Sequence, residues 1–190
     1  HDGYYNVEGG MYRIVEGLVS ELHKAGVKIH YNKEIVDYKS VGKKVTAVVD
    51  AQNKEWTADA ILINADAAMF RGRVLKREKY NEEGLKKMDW TMGYLTFYLG
   101  LNTKLDQVNH HNYYLGNNFE EYASRLEQKP DALEKPYYYV NVVSKHNPQC
   151  APEGCESLFF VCPVPNLIYK PDWSDRDKIV DSIIADFSNR

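Results

Sequence analysis

The sequence predicts a mixed α+β fold in which a mixed or antiparallel sheet is covered by helices. Three observations lead to this prediction. Apolar residues recur every three or four positions near both ends of the chain, as they do in amphipathic helices. Short segments rich in β-branched and aromatic residues lie between these ends. Glycine and asparagine turns separate several of the segments, so neighbouring strands are expected to pair.

The composition is that of a globular protein and excludes several functional classes. The chain has 190 residues, of which 44% are hydrophobic and 27% are charged, and its net charge is -3. This near balance gives no electrostatic reason for a nucleic-acid partner. The longest uncharged stretch, residues 157–169, is too short for a membrane span and contains Pro163 and Pro165. The three cysteines have no paired spacing, so we expect neither disulfides nor zinc, and a cytoplasmic location.

The sequence predicts that the first 75 residues form one helix followed by a small group of strands. An apolar stripe over residues 11–25 predicts a helix with one buried face, which Gly26 ends. Alternating residues then predict a strand over 27–31 and further strands over 34–41, 44–50 and 55–63. Asp66 caps a short helix predicted over 67–74. Because charged residues accumulate from about residue 75, we place a domain junction there.

The second half of the chain contains three strongly apolar strand segments, over 93–101, 137–143 and 157–162. Alternation puts Tyr94 and Tyr98 on one face of the first segment and Leu95, Phe97 and Leu99 on the other. Neither face is polar. Two interpretations stay open: helices cover both faces of the sheet, or one face lines an apolar cavity. Helices are predicted over 118–128 and from Ser174 onward, where Asp177 completes a capping box.

No motif predicts a metal site or a nucleophilic mechanism. His110, His111 and His146 form a histidine group, but neighbouring histidines on an extended segment are expected to point in opposite directions. Cys150 and Cys155 flank a turn, and the sequence has no Gly-x-Ser-x-Gly motif.

The glycines before the first helix are the one candidate anion site. Gly9 and Gly10 precede the predicted helix, whose N-terminus would favour an anion, although two glycines alone are weak evidence. The Gly-x-Gly-x-x-Gly fingerprint of a dinucleotide fold is absent from the sequence. Any dinucleotide would therefore have its main phosphate cradle outside these 190 residues.

Several segments together resemble the bacterial-type phytoene desaturases, which are FAD-dependent carotenoid desaturases. The likeness is carried by EGGMYRIVEGL at 8–18, GVKIHYN at 26–32, YLGLN at 98–102, NHH at 109–111, APEGCES at 151–157 and CPVPNL at 162–167. The first two segments are shared with the related flavin amine oxidases. The last two are the most discriminating.

This resemblance implies an internal fragment with a flavin amine oxidase-like fold. Residues 1–75 would be the later part of the FAD-binding domain and residues 76–190 part of the substrate-binding domain, both incomplete. By position in the motif, the backbone of Ile35, and of Val36 beside it, would contact the adenine. The strand end at Ala65 and Asp66 would return toward the cofactor. A place for Ile35 in the strand core is an equally open interpretation.

The resemblance also implies a substrate and a reaction. The enzyme would desaturate a carotenoid precursor such as phytoene by hydride transfer to flavin. An apolar polyene must be recognised by burial of apolar surface, for which Tyr94, Tyr98, Tyr137 and Tyr139 are the candidates. The opposite set, Phe97, Tyr138 and Phe159, stays open, as does a packing role for the tyrosines. No catalytic acid or base is identified, and a peripheral attachment to the membrane surface is expected.

Two alternatives stay open at this point. The chain could belong to a flavin amine oxidase or carotenoid isomerase relative that shares the cofactor half but uses another substrate. As an isolated polypeptide it could also act as a lipid-binding module without a cofactor. A long apolar channel favours a desaturase, whereas a compact aromatic pocket with a polar end favours an amine oxidase.

Overall fold

A computed structural model describes residues 5–116, 119–126 and 136–190. The chain divides into two compact units, one of residues 26–89 and one of the residues up to Ala25 together with those from Trp90 onward. Each unit is described by itself. The assignment of functional domains to either side of residue 75 stays a prediction.

The unit of residues 26–89 contains a small antiparallel sheet in the order β1-β2-β3. Its strands are β1 (Ile35–Val41), β2 (Lys44–Asp50) and β3 (Glu55–Thr57). Gly42 takes a positive φ of 59° in the tight turn between β1 and β2, a conformation that glycine adopts without strain. The buried carboxylate of Asp50 accepts hydrogen bonds from the Lys54 backbone and the Trp56 indole, which fixes the next turn.

The helices of this unit follow the sheet. The predicted helix over 67–74 is confirmed: α2 (Ala67–Met69) continues as one π-helical turn (Phe70–Val74), and Asp66 caps it by accepting the Met69 N–H at 2.7 Å. A 3₁₀ turn (Glu78–Tyr80) and α3 (Glu82–Lys86) complete the charged segment.

Two strand predictions in this unit are wrong. Residues 27–31 are not a strand, and β3 ends at Thr57, so the apolar residues 60–63 are not part of it. Both segments have the composition of strands, but a strand needs a hydrogen-bonded neighbour. No strand within the described ranges pairs with either segment, and Leu62 is 94% exposed.

In the other unit, helix α1 (Tyr12–Lys24) agrees with the predicted bounds, and Gly26 follows it with a φ of 75°. The prediction of a buried face is wrong, because none of its residues is buried. The exposed side chains include Ile14, Val15, Leu18 and Leu22. The helix thus presents an apolar stripe that no described residue covers.

A four-stranded antiparallel sheet forms the body of this unit, in the order β4-β7-β6-β5. The strands are β4 (Gly93–Leu101), β5 (His111–Tyr114), β6 (Tyr138–Val142) and β7 (Glu156–Val164). Strands β4, β6 and β7 were predicted. Strand β5 was not predicted as a strand, because four residues rich in His and Tyr give little periodic signal.

One face of this sheet packs on α5 (Arg176–Ser188) and makes the core. Val140, Leu158 and Phe160 are fully buried on this face, and Ile183 of α5 is buried against them. Phe187 of α5 meets the Phe160 ring edge-on at 5.3 Å. Each of these strands therefore buries every second residue, as the sequence alternation predicts.

The predicted capping box of α5 is wrong. Ser174 donates both its backbone N–H and its hydroxyl to the carboxylate of Asp172, at 2.9 and 2.8 Å. The helix begins at Arg176, behind Asp175, and its N-cap makes no side-chain hydrogen bond. The backbone N–H and the hydroxyl of Ser174 are therefore bonded within a local turn around Asp172, and the hydroxyl does not cap the helix.

Helices cover only one face of this sheet among the described residues. The interpretation in which helices cover both faces is wrong for this part of the chain.

In helix α4 (Phe119–Leu126), Tyr122 is buried and its hydroxyl donates to the Pro163 carbonyl at 2.8 Å, while Ala123 is half-buried. The remaining predicted residues of this helix, Asn118 and 127–128, lie outside the described residues. Within the described ranges no helix is both long and apolar enough to cross a bilayer.

Candidate substrate-binding face

The face of the four-stranded sheet that points away from α5 is open and rich in aromatic rings. We call it the aromatic face, and it comprises Tyr94, Tyr98, Tyr113, Tyr139 and Phe159. Tyr94, Tyr98 and Tyr113 are 62%, 75% and 72% exposed, whereas Tyr139 and Phe159 are half-buried. Monomeric proteins rarely expose a contiguous apolar surface of this kind unless it binds something.

The rings of the aromatic face are ordered by the strand register. Tyr98 pairs with Phe159, which pairs in turn with Asn141 and then His111, so these four residues form one row across all four strands. The next row crosses the sheet through Tyr113 and Tyr139. With strands about 4.8 Å apart, each row spans about 14 Å.

Neighbouring rings of the aromatic face touch each other. The centroids of Tyr98 and Phe159 lie 4.9 Å apart with planes 22° from parallel, and those of Tyr113 and Tyr139 lie 5.0 Å apart. Both distances fall in the range of favourable aromatic pairs. The aromatic face therefore carries two stacked pairs of rings, one on β4 and β7 and one on β5 and β6.

Three of the four tyrosines predicted to bind the substrate lie on the aromatic face, and the fourth packs elsewhere. Tyr94, Tyr98 and Tyr139 lie on the aromatic face, as the strand alternation requires. Tyr137 precedes β6 and stacks on the buried ring of Tyr122 at 4.2 Å.

The alternative set, Phe97, Tyr138 and Phe159, is divided as well. Phe97 and Tyr138 belong to the core on α5, and only Phe159 is on the aromatic face. The hydroxyl of Tyr138 donates to Asp186 of α5 at 2.6 Å. The set is split because its members do not share one side of the strands.

The β5 end of the aromatic face is polar. Here the rings of His110 and His146 stack at 4.1 Å, and His111 meets His110 edge-on at 4.3 Å. The expectation that His110 and His111 point apart is wrong, because His110 lies at a bend before β5 and not within it. Stacked rings do not converge on a point, and the described residues contain no group arranged to hold a metal ion.

Hydrogen bonds determine the tautomer of His110. The Nδ1 of His110 lies 2.9 Å from the Val142 carbonyl, to which it donates, while its Nε2 accepts from the Asn141 amide at 3.3 Å. Burial, above all, lowers the pKa of His110, and the neighbouring histidines lower it further. His110 is therefore a neutral ring that carries its proton on Nδ1.

His111 contacts two side chains of β6. Its Nδ1 lies 2.6 Å from the Tyr139 hydroxyl and 3.4 Å from the Asn141 amide nitrogen. Burial raises the pKa of Tyr139.

Neither Tyr113 nor this arrangement of His111, Tyr139 and Asn141 is predicted from the sequence. Strand β5 alternates exposed His111 and Tyr113 with half-buried Asn112 and Tyr114. That alternation is a usable signal, but four residues are too few for it to stand out. The contacts between β5 and β6 join residues about 30 positions apart, which only the sheet register brings together.

The residues predicted to contact FAD lie in the other unit. Ile35 begins β1, is half-buried and pairs with Asp50, while Val36 follows at a bulge between the paired residues Ile35 and Asp37. A bulge leaves the extra residue outside the ladder of hydrogen bonds. Val36 thus has backbone groups outside that ladder, on an edge strand, which fits a backbone contact to an adenine.

Ala65 and Asp66 fit the cofactor less well. Both are exposed, and one carboxylate oxygen of Asp66 already caps α2 through the Met69 N–H. The cap explains the residue type at position 66 without a ligand.

Gly9 and Gly10 do not form an open anion cradle. Both have positive φ, but the Gly9 N–H donates to the Asn147 side chain at 3.2 Å and the Gly10 N–H to the Val7 carbonyl at 3.0 Å. The amides that would bind an anion are therefore already engaged, and the glycines shape the turn into α1.

The cysteines are free thiols in the described part of the chain. Cys162 is fully buried in the core, and burial raises its pKa to about 12. Cys150 and Cys155 are half-buried on either side of a turn in which Gly154 has a positive φ. A buried thiol with a raised pKa is a packing group and not a nucleophile.

The fold and this face define a class: an α+β chain with an antiparallel sheet whose open side is suited to an apolar ligand. No protein-family model matches the sequence. Individual proteins do match. The chain is 30% identical to a 1-hydroxycarotenoid 3,4-desaturase of Flavobacterium sp. strain P99-3, over 91% of this chain and 35% of that protein.

Other relatives are a phytoene desaturase of Fusarium fujikuroi, 24% identical over 92% of this chain and 31% of the relative, and a lycopene-forming phytoene desaturase of Paracoccus sp., 25% identical over 99% and 38%. The chain belongs to the phytoene desaturase-type family of carotenoid desaturases. It spans about a third of the length of these relatives.

Proposed function

We propose that this chain is an internal part of an FAD-dependent oxidoreductase that desaturates a carotenoid precursor such as phytoene, and that the aromatic face binds the polyene. One observation carries the proposal: an open sheet face of touching aromatic rings, in a chain whose relatives are named carotenoid desaturases.

The physics of polyene recognition supports this use of the aromatic face. A hydrocarbon polyene has no charge and no hydrogen-bonding group, so its binding free energy comes from apolar surface removed from water, at about 25 cal/mol per Å². Flat rings offer such surface with little loss of side-chain entropy. The 62–75% exposure of Tyr94, Tyr98 and Tyr113 leaves their rings accessible to a ligand.

The same rings suit the reaction. Desaturation removes a hydride and a proton from adjacent carbons, and FAD, when bound, supplies the hydride acceptor. An aromatic face attracts positive charge by about 0.5–2 kcal/mol per ring, which favours the carbon that loses the hydride. The role of the aromatic face is to bind and orient the chain of the polyene and to keep water from it.

The proposed cofactor contacts in this chain are made by the backbone. The bulge at Val36 offers an amide and a carbonyl outside the ladder of β1, next to half-buried Ile35. Ala65 and Asp66 are proposed to lie nearby, with Asp66 acting through the helix that it caps. The main phosphate-binding turn is proposed to lie outside these 190 residues, since the sequence lacks the glycine fingerprint.

We also propose a peripheral attachment to the cytoplasmic surface of a membrane, because a carotenoid partitions into the lipid. Such attachment needs an exposed apolar surface. The stripe of α1, with Leu18 61% exposed, shows that the chain presents apolar surface beyond the aromatic face.

The test is anaerobic reduction of bound flavin by the full-length protein that contains this chain, mixed with liposomes that carry phytoene. We expect loss of oxidised flavin absorbance and the appearance of a conjugated product. Tyr94→Ala with Tyr98→Ala should slow both, whereas Tyr169→Ala should not. Tyr169 is the matched control because it is also an exposed tyrosine but lies in the turn between β7 and α5. Flavin that stays oxidised with phytoene contradicts the proposal.

A second measurement tests the cofactor assignment. FAD fluorescence is followed while the 190-residue chain is added. Weak binding is expected, because the chain supplies backbone contacts without the phosphate turn. Tight stoichiometric binding would show that the main cradle lies within these residues.

A further inference from the structure

We infer that Glu156 is a positioning residue: its buried carboxylate fixes the register of β7 against both neighbouring strands, and so determines which rings lie on the aromatic face. It belongs to a group of polar side chains at the start of β7, which we call the register cluster and which comprises Glu156, Ser144, Lys104 and Lys145. The consequence for the substrate rests on the proposed function, whereas the register itself does not.

Apolar patterning alone distinguishes poorly between two registers of β7. A shift of one residue moves every side chain of a strand to the opposite side of the sheet. In the observed register, Leu158 and Phe160 are fully buried on the core side. A shifted strand would turn Phe159 and Val161 to that side instead. Because both pairs are apolar, burial of apolar surface favours the observed register only in part.

Glu156 is the only charged residue of β7, and it lies on the buried side, where it is 2% exposed. Its carboxylate accepts a hydrogen bond from the Ser144 hydroxyl. One carboxylate oxygen lies 3.8 Å from the Nζ of Lys104, and the other lies 3.9 Å from the Nζ of Lys145. A buried charge is tolerated where such partners surround it. The observed register therefore gives this carboxylate three partners.

The partners of Glu156 come from the ends of both neighbouring strands. Lys104 follows β4, and its Nζ also donates to the Cys155 carbonyl at 2.7 Å, just before β7. Ser144 and Lys145 lie in a 3₁₀ turn (Val143–Lys145) that follows β6. Since β7 lies between β4 and β6 in the sheet, the register cluster connects it to the strand on each side.

Ser144 contacts two consecutive residues of β7. Its hydroxyl donates to the Glu156 carboxylate, and its Oγ accepts the backbone N–H of Ser157 at 3.0 Å. After a shift of one residue, Ser157 or Cys155 would occupy the place of Glu156, and neither carries a carboxylate. The apolar contacts are thus similar in the two registers, whereas the polar contacts form in only one. Selection of a register is the best-attested use of a buried polar group.

The register of β7 decides the composition of the aromatic face. In the observed register Phe159 stacks on Tyr98 and is the β7 member of the row that crosses the sheet. A shift of one residue would turn Phe159 into the core and bring the fully buried Cys162 to the open side. The accessibility of the Cys162 thiol therefore reports the register.

The test is the rate at which a thiol reagent modifies Cys162 in the folded 190-residue chain, with the modified peptide identified by mass spectrometry. Glu156→Leu keeps a side chain of similar size but removes the carboxylate. In this variant Cys162 should be modified at least about tenfold faster than the unfolded fraction, measured by urea denaturation, accounts for. Ser144→Ala, which removes the hydroxyl that contacts both β7 residues, should act in the same direction.

Two controls separate a shift of register from a loss of stability. Glu153→Leu makes the same substitution at an exposed residue of the preceding turn, and Cys162 should be modified as in the unchanged chain. Leu158→Ala removes core packing but leaves the register cluster in place, so modification should rise only as far as the unfolded fraction does. Modification of Cys162 in Glu156→Leu that unfolding fully accounts for overturns the inference. If circular dichroism shows that Glu156→Leu does not fold, Ser144→Ala is judged by the same criterion.

Carotenoid binding distinguishes a failure of this inference from a failure of the proposed function. Quenching of intrinsic fluorescence should show an affinity of Glu156→Leu that is lower by at least about twofold, because only the chains in the observed register present the pair of Tyr98 and Phe159. Unchanged affinity together with faster modification of Cys162 overturns the positioning role. If the unchanged chain binds no carotenoid, the proposed function fails, while the modification rates still decide the register.

Discussion

Tyr98 and Phe159 stack across β4 and β7 with ring centroids 4.9 Å apart, although they are 61 positions apart in the sequence. The two rings sit on the side of the sheet opposite the buried Leu158 and Phe160. One sheet thus uses alternate residues of the same strands for two purposes. One side makes the core, and the other exposes aromatic rings.

The contribution of Tyr98 to polyene binding can be measured directly. Tyr98→Ala should weaken carotenoid binding by about 5- to 30-fold, since it removes a ring from the aromatic face and exposes the edge of Phe159. Tyr98→Phe should bind as the unchanged chain does, because the ring and not the hydroxyl makes the contact. Fluorescence quenching gives the affinities. Equal affinity for Tyr98→Ala and the unchanged chain would place the ligand elsewhere.

Leucines on α1 and in the sheet core should differ sharply in their contribution to stability. Leu158→Ala removes a fully buried side chain and should lower the free energy of unfolding by about 2–5 kcal/mol. Leu18→Ala, on the exposed stripe, should change it by less than about 0.5 kcal/mol. Urea denaturation of the 190-residue chain measures both. A large loss for Leu18→Ala would mean that its side chain is covered within this chain.

The contact between Tyr138 and Asp186 predicts a pH dependence of stability. Burial would raise the pKa of Asp186, but the hydrogen bonds from Tyr138 and Arg190 outweigh it, and the pKa lies below its ordinary value. A carboxylate with a lowered pKa stabilises the fold above its unfolded pKa of about 3.9, and this stabilisation is lost as the pH falls through the folded pKa.

Asp186→Asn should therefore lower the free energy of unfolding at pH 7, and the difference from the unchanged chain should shrink below about pH 4. Partial exposure of the carboxylate limits the effect to about 1 kcal/mol or less. Denaturation at several pH values measures it. A difference that stays constant from pH 7 to pH 3 would contradict the assigned role of the charge.

The three thiols should react at different rates. Burial raises the pKa of Cys162 to about 12, so at pH 8 it should react with a thiol reagent at least roughly a hundredfold more slowly than half-buried Cys150 and Cys155. Two thiols should be modified in the folded chain and three in denaturant, as counted by mass spectrometry. Rapid modification of Cys162 before unfolding would show that the core beneath β7 is open.

The sequence by itself determined many of the local elements and which residues of a strand share a side. The stripe of α1, the cap at Asp66 and the alternation around Phe97 and Tyr98 follow from spacing and residue type, and each is present in the structure. Motif resemblance alone pointed to the carotenoid desaturases. These are properties of neighbours along the chain, which a sequence records directly.

Only the tertiary structure decided which faces are covered and which distant residues meet. It left the stripe of α1 exposed, gave segments 27–31 and 60–63 no strand partner among the described residues, and separated Tyr137 from Tyr139. It also brought His111 to Tyr139 through the β5-β6 register. Burial and pairing depend on what packs against an element, and no pattern within one segment contains that information.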